Sequence, residues 1–461
     1  ALERIQALDG AFDPVHAGFG SAQKFPPHSV LLFLQHAHAA GLSQRAGEMA
    51  RATLDEMMTR GLHDHLQGGF FRYTVDRDWT IPHFEKMLYD QAMLLWNFSV
   101  ASRLFDRSGY RQTAAGIVRA LEETFRAGPG YASAHDADTN HREGATYLWK
   151  MEEIRAALTE EELDAVLRTF ALSEDGNFER RNHLVRILPP GVHEDNPAAA
   201  KRAPAPELIR RATDKLLAVR RQREQPARDD KVVLGWNALA GCGLLAAHRY
   251  AQIPGTLERG EELAAYLTGT FCSGAAVAHV ALDGELQEQE FLSDVAALLL
   301  FLTMLAEERD ELDTTYVPMR RLLRERLAAL QDEDVWMESV PADFAPVPAE
   351  PFDQPVPSGM AVAEYALLLH QLRTHQEYAP RPYTDPHGQA FANIAALASR
   401  GYTYVVESPE PVPWEKLPVH AIQVRGPART SCYRGVCYLG LPPESAAGSG
   451  GDAGSSGGAA R

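Results

Sequence analysis

Apolar residues recur at i, i+3, i+4 and i+7 along most of the chain, the pattern of amphipathic helices, and the helical stretches fall into pairs divided by loops rich in Gly, Pro, Asp and His. Six pairs are expected: 28–42 with 44–60, 83–107 with 109–127, 151–170 with 205–223, 232–250 with 254–271, 289–308 with 314–331, and 358–376 with 386–400. Gly41, Ser108 with Gly109, Pro254 with Gly255, and Pro380 with Pro382 break the helices inside pairs, while the third pair is joined by an irregular segment carrying Pro189, Pro190, Pro197, Pro204 and Pro206. Longer loops at 61–82, 128–150, 224–231, 272–288 and 332–357 separate the pairs, a rhythm that suits helical hairpins arranged in a ring or solenoid. The expected fold class is all-α, an (α/α)6 six-hairpin toroid over 1–400, with short β segments near the C-terminus at 402–407 and 419–424. These belong to an extension over 401–443 that packs on the toroid, and the Gly, Ser and Ala tail at 444–461 is expected to be disordered.

The chain has 461 residues, 45% hydrophobic and 23% charged, enough to bury a large core. Its 45 Lys and Arg against 62 Asp and Glu leave a net charge of -17, which excludes nucleic acid and anionic membrane surfaces as partners. The most apolar stretch, 295–306, is too short for the roughly 20 residues a membrane span takes, so no membrane partner is expected and the stretch reads as a buried helix. None of Cys242, Cys272, Cys432 and Cys437 forms a Cys-x-x-Cys pair, which fits a reducing compartment, cytoplasmic or organellar; the spacing of Cys432 and Cys437 allows a bridge, but ordinary buried thiols are the expected state there. Leu2, Ile5 and Leu8 open the chain on an amphipathic pattern without a basic or long apolar leader. Either there is no signal, or the true N-terminus lies upstream.

Chemistry-bearing residues concentrate at 61–91, where His63, Asp64, His65, Gly68, Gly69, Arg72, Tyr73, Trp79, Pro82, His83, Glu85 and Asp90 fall close together. Pro82 suits the first turn of a helix, which would place His83, Glu85 and Asp90 near its N-terminus on the loop side of the ring. A general acid/base pair can be built from His83 and Glu85, or from His63 and Glu85. The alternative is that the same groups form a hydrogen-bonded plug over helix ends.

In the next loop Asp136, Asp138 and Asn140 alternate as in a calcium loop, but His141 and Tyr147 stand where such a loop needs Gly and Glu. Acids beside Tyr147 and Trp149 resemble the wall of a sugar site, and also plain core packing. Asp230 before Trp236 and Asn237, Asp294 at a helix start, and Ser358 before Gly359 can each be a helix cap or a ligand contact. The chain has no phosphate-cradling loop, nucleophile elbow, His-Glu-x-x-His or dinucleotide fingerprint, and its histidines show no zinc spacing. No cofactor and no metal are assigned.

Several of these motifs carry a family resemblance: Gly18-Phe19-Gly20 with Lys24-Phe25-Pro26, Gly68-Gly69-Phe70 with Arg72-Tyr73, and Pro82-His83-Phe84-Glu85-Lys86-Met87-Leu88-Tyr89-Asp90. Asp136-Ala137-Asp138, Glu143-Gly144, Trp149, Asp229-Asp230-Lys231-Val232, Trp236-Asn237, Pro357-Ser358-Gly359, and Cys432 with Cys437 before Leu441-Pro442 continue it. Over nearly all of 10–443 the chain resembles the helical part of the spermatogenesis-associated, thioredoxin-domain-containing proteins. That resemblance implies a six-hairpin toroid similar to the N-acylglucosamine 2-epimerase and cellobiose epimerase folds and, by fold analogy, a sugar-like small-molecule ligand. It also implies a thioredoxin-like domain ahead of residue 10, which this sequence does not supply, so the chain is expected to be a fragment or a lineage without the redox part. His135, Ala238 and Met360 depart from the acid, Gly and Asn that the family pattern leads one to expect.

Three readings stay open. The preferred one is a carbohydrate-active or carbohydrate-binding toroid, an epimerase or isomerase with His83, Glu85 and His63 as catalytic candidates. Arg72 would polarise a carbonyl or stabilise an enolate, and Trp79, Trp149 and Trp236 would stack on the sugar. Asp136, Asp138, Asp230 and Asp294 would hold hydroxyls, with Tyr73, Asp90, Asn237 and Ser358 completing the binding set. The second reading is a non-catalytic partner module for a thioredoxin-like domain, and the third is a glycoside hydrolase with two facing carboxylates.

Overall fold

The computed structural model describes residues 1–442 apart from 106, 188–202, 274–275, 334, 342–344 and 375–387. The expectations for the 444–461 tail, for Pro189, Pro190 and Pro197, and for the Pro380 and Pro382 break lie outside the described residues.

After α1 (Leu2–Ala11), which buries Ile5 and Leu8, come the hairpins α2 (His28–Ala39) with α3 (Gln44–Thr59) and α4 (Leu88–Leu104) with α5 (Ser108–Ala120). The third consists of α6 (Met151–Ala157) and α7 (Glu160–Thr169) with α8 (Pro206–Arg220). Then follow the hairpins α9 (Leu234–Ala246) with α10 (Thr256–Phe271) and α11 (Leu292–Leu305) with α12 (Asp310–Ala329), and last α13 (Gly359–Thr374) and α14 (Ala390–Ser399), which start at the same end, bridged there by Asp353, and so correct the expected sixth hairpin. One π-helical turn, Leu121–Phe125, extends α5, and another, Ala247–Ala251, extends α9.

Side-chain polarity sorts these helices into layers. α4, α9 and α11 are apolar on nearly every face and buried along most of their length, which only an inner position allows. α3, α5 and α10 bury one face and show a polar one, and they form the outer layer. The chain is thus an all-α toroid of the expected six-hairpin class, its wall formed by α2, α4, α9, α11, α13 and α14 in that order, with α14 closing on α2, so that the last two helices both belong to the wall.

The third hairpin corrects the simple picture. α4 packs directly on α9, so α6, α7 and α8 are not part of the wall; they share a separate core around Trp149, Ile154, Val166 and Leu216. Asp64 anchors this hairpin to the ring: Arg220 of α8 donates to its two oxygens at 2.8 and 2.9 Å, and Lys86 donates at 2.6 Å, all three side chains being buried.

Short strands stitch the loops between hairpins together. Lys86–Met87 pairs with Ala134–His135, which pairs with Arg228–Asp229. Val232–Val233 pairs with Val280–Leu282. Pro82–His83 is also a strand, against Tyr73–Thr74, which corrects the expectation that Pro82 opens a helix. The Asp76 carboxylate accepts the backbone N–H groups of Thr80 (2.7 Å) and Ile81 (2.5 Å), folding this loop back into a hairpin, and α4 starts only at Leu88.

In the C-terminal sheet Val405–Ser408 lies between Ile422–Arg425, parallel to it, and Thr430–Tyr433, with Val436–Leu439 outermost. Cys432 and Cys437 stand opposite each other on the last two strands and are disulfide-bonded. This corrects the expectation of buried thiols, and the reducing-compartment reading loses the support it drew from them. Cys242 and Cys272 are free and buried. Among the described residues no helix is long and apolar enough to cross a membrane.

Candidate functional site

All six wall helices start at the same end of the ring. His28 in the first turn of α2 lies 2.8 Å (Nε2 to Oδ1) from Asp90 in the first turn of α4, and two turns deeper Gln35 donates to Asn97 at 2.8 Å, so the two helices run parallel. Asp294 at the start of α11 accepts the N–H of Gly235 at the start of α9 (2.7 Å). Asp353 accepts the N–H groups of Ser358, ahead of α13, and Phe391, in α14, at 2.9 and 3.0 Å. The positive ends of six helix dipoles therefore meet at one rim, where they favour the acids gathered there. Burial pushes the Asp353 carboxyl up to about 6 and raises those of Asp90, Asp294 and Glu338.

One polar cluster lies on the α4 side of this rim. His83 Nδ1 is 2.7 Å from Glu143 Oε1, and His83 Nε2 is 3.9 Å from Glu85 Oε2. Arg72 donates to Glu85 at 2.7 Å. Asp90 Oδ2, His28 Nδ1 and Arg72 Nε are buried without a hydrogen-bond partner within the chain, polar atoms that a ligand or ordered water would satisfy. Burial, reinforced by the neighbouring Asp90, also raises the Tyr89 phenol, so it stays protonated.

A second cluster lies on the α11 side. His279 Nδ1 is 2.7 Å from Asp294 Oδ2, and Ser293 donates to Glu338 at 2.7 Å. Burial alone would lower the His279 imidazole, but the Asp294 carboxylate outweighs it and raises the pKa. Half-buried Trp236, at the start of α9, joins the two clusters: its ring meets Tyr89 edge-on at 5.0 Å, and its neighbour Gly235 is bonded to Asp294.

The structure thus brings together Arg72, Tyr73, His83, Glu85, Asp90, Trp236, Asp294 and Ser358 of the sequence candidates, and separates others. His63 stacks on Phe70 and meets His65 edge-on, and burial pushes its imidazole down to about 3, so it is not a proton donor near neutrality. Trp79 and Trp149 are fully buried, Trp149 beneath the Arg223 guanidinium, and neither offers a face for stacking. Asn237 is a buried clamp, accepting the N–H of Tyr131 and donating to the carbonyls of Tyr131 and Val233. Asp136, Asp138 and Asp230 are exposed, Asp230 paired with Arg228. Ser358 donates its hydroxyl to the Glu350 carbonyl.

His28, His279 and Glu338 were not singled out in the sequence, nor was Glu143 as the partner of His83. His279 stands alone between Ala278 and Val280, and no local motif marks it. Among the described residues no group of three or more His, Cys, Asp and Glu is placed to hold a metal ion.

No protein-family model matches the chain. It is 33% identical over 269 residues to human spermatogenesis-associated protein 20, covering 52% of this chain and 34% of that one. To an uncharacterized protein of Caenorhabditis elegans it is 32% identical over 290 residues, 56% of this chain and 39% of that one. The resemblance read from the motifs is therefore met by similarity over about half of this chain, not nearly all of 10–443, and the matched part spans little more than a third of each relative's length. Among solved structures D-mannose isomerase matches with a TM-score of 0.51 at 13% identity, covering 82% of this chain and 81% of that one. At that identity the likeness is one of fold.

Proposed function

We propose that the chain is a carbohydrate-active enzyme of the epimerase or isomerase class, moving a proton between carbons of an open-chain sugar at the rim of the toroid. One observation carries the reading: two imidazoles, each held at Nδ1 by a carboxylate, His83 by Glu143 and His279 by Asp294, lie on the α4 and α11 sides of Trp236. A carboxylate on Nδ1 fixes the ring and leaves Nε2 as the atom that takes or gives a proton.

The chemistry then balances without a cofactor. One imidazole removes the C2 proton of an aldose, and the charge that develops on the C1 oxygen falls to a cation or hydrogen-bond donor, for which Arg72 and the protonated Tyr89 are the candidates. Return of a proton to C1, with the C2 hydroxyl proton passing to the C1 oxygen, gives the ketose. Delivery to the opposite face of C2 by the second imidazole gives the epimer. Trp236 would bury the apolar face of the sugar. The fold shared with D-mannose isomerase supports this by analogy alone.

Carboxylates such as a glycoside hydrolase uses are here engaged otherwise: Glu85 by Arg72, Asp90 by His28 and Asp294 by His279. Thermal unfolding against a panel of mono- and disaccharides tests the proposal. At least one sugar should raise the melting temperature, and His279→Gln and Trp236→Ala should each remove the effect. Absence of any shift across the panel would overturn the reading in favour of a non-catalytic module.

A further inference from the structure

The cysteines of the chain differ in what can reach them. Cys242 and Cys272 are free thiols enclosed in the core, and burial raises both, Cys272 to about 12, so neither forms a thiolate near neutrality. Cys432 and Cys437 are instead joined across the last two strands of the C-terminal sheet, and Cys437 lies exposed on the outermost one.

That is a poor position for a structural staple. The bonded residues are only five apart in sequence, so the bridge constrains the unfolded chain less than one closing a long loop. The strand it fastens, Val436–Leu439, is exposed at every residue and gives no side chain to a core, Leu439 being 92% exposed. The inner strand is held without it. Cys432 pairs with Val405 in the sheet, Ser431 is buried, and Tyr433 stacks on Tyr404 at 4.2 Å and donates its hydroxyl to the Ala40 carbonyl at 3.2 Å, just past the end of α2. One sulfur thus sits on a strand anchored to the ring, and the other on a strand open to water.

We propose that Cys432–Cys437 is a thiol–disulfide exchange site that a dithiol reductant opens through Cys437, a second chemistry on this chain that does not depend on the carbohydrate reading. One thiolate of the reductant attacks the exposed Cys437 sulfur; a mixed disulfide forms there, the bond to Cys432 breaks, and Cys432 leaves as a thiolate that takes up a proton. The reductant's second thiol, deprotonated, attacks the reductant's own sulfur in the mixed disulfide and releases Cys437, which is protonated in turn. The dithiol gives up two electrons and two protons and closes to a disulfide, and the cysteine pair gains them as two thiols. Exposed disulfides are the ones such reductants open. Opening this one frees the outer strand and leaves the ring intact.

The test uses the folded chain, oxidised with diamide, then treated with dithiothreitol, alkylated with N-ethylmaleimide without denaturant and mapped by mass spectrometry. Dithiothreitol should place the label on Cys432 and Cys437 and leave Cys242 and Cys272 unmodified. The reduced chain should melt with the oxidised one, since the freed strand buries nothing. Two single-cysteine variants read the direction of attack: with oxidised glutathione, Cys432→Ser, which keeps Cys437, should form its mixed disulfide several-fold faster than Cys437→Ser. A pair that diamide does not join, or a disulfide that dithiothreitol opens only in denaturant, would overturn the inference. So would a marked fall in melting temperature on reduction, which is the mark of a structural staple. Equal rates in the two variants would overturn the assignment of Cys437 as the sulfur attacked.

Discussion

Asp294 holds His279 with one carboxylate oxygen and the start of α9 with the other, each at 2.7 Å. A single buried acid therefore sets both the imidazole's orientation and the position of Trp236 beside it. Its charge raises the His279 pKa above the ordinary value although burial alone would lower it. Asp294→Asn keeps an oxygen for the Gly235 N–H and removes the charge, so the His279 midpoint, followed by NMR titration, should fall. An unmoved midpoint would show that the carboxylate does not govern this imidazole.

Asp64 is the counter-charge for two buried cations, Lys86 and Arg220, which together hold it well below the usual carboxylate range against the effect of burial. Asp64→Ala leaves both unpaired and unties the third hairpin from the ring. Urea unfolding should show a loss of about 3–5 kcal/mol, the usual result of removing one partner from a buried ion pair. A loss below about 1 kcal/mol, the range of exposed pairs, would contradict this.

Gly68 and Gly116 face each other across the 61–82 loop and α5, and the structure assigns them opposite tolerances. Gly68 has φ +88°, and a Cβ there would sit 2.3 Å from the Gly116 carbonyl oxygen, so Gly68→Ala should cost more than about 2 kcal/mol from strain and overlap. At Gly116 the nearest atom to an added Cβ is the Gly68 Cα at 3.6 Å, ordinary contact within a helix. Gly116→Ala should be neutral or stabilising by up to about 1 kcal/mol. Equal effects from the two would refute the packing described.

His420 is buried with neither ring nitrogen hydrogen-bonded within the chain, beside His36 of α2, and burial pushes its imidazole down to about 3. The unfolded chain binds this proton near 6.5 and the folded one only near 3, so its contribution is intact above 6.5 and is lost as pH falls through that window. His420→Phe removes the titrating group while keeping an aromatic ring. Its melting temperature should fall less than the parent's as pH drops from 6.5 towards 3, and parallel curves would exclude His420 as a source of the acid lability.

Local pattern was enough for part of the wall, because the all-apolar α9 and α11 can only be interior helices and read as such in sequence. It misplaced the third hairpin, since α7, with its Thr159 cap, carries the same amphipathic pattern as a ring helix and only long-range packing excludes it from the wall. Pro82 was ambiguous for a similar reason: its ring suits a first helical turn and an edge strand equally, and Asp76 decides between them through backbone bonds no motif announces. In the site, Arg72, His83, Glu85 and Asp90 were legible because they crowd into one segment. Their partners were not, since Glu143 lies 60 residues from His83 and His28 lies 62 from Asp90. Trp79 and Trp149 looked like ligand walls because acids adjoin them in sequence, yet both rings are enclosed by the protein itself.

The central claim is proton transfer at sugar carbon by the two carboxylate-held imidazoles, and solvent exchange reads it directly. A panel of mono- and disaccharide aldoses would be incubated with the chain in deuterium oxide and followed by proton NMR at C2. The account expects enzyme-dependent loss of the C2 proton signal from at least one sugar, greatly slowed by His83→Gln and by His279→Gln, with both variants folded. Retention of every C2 proton in the presence of the unmodified chain would contradict it.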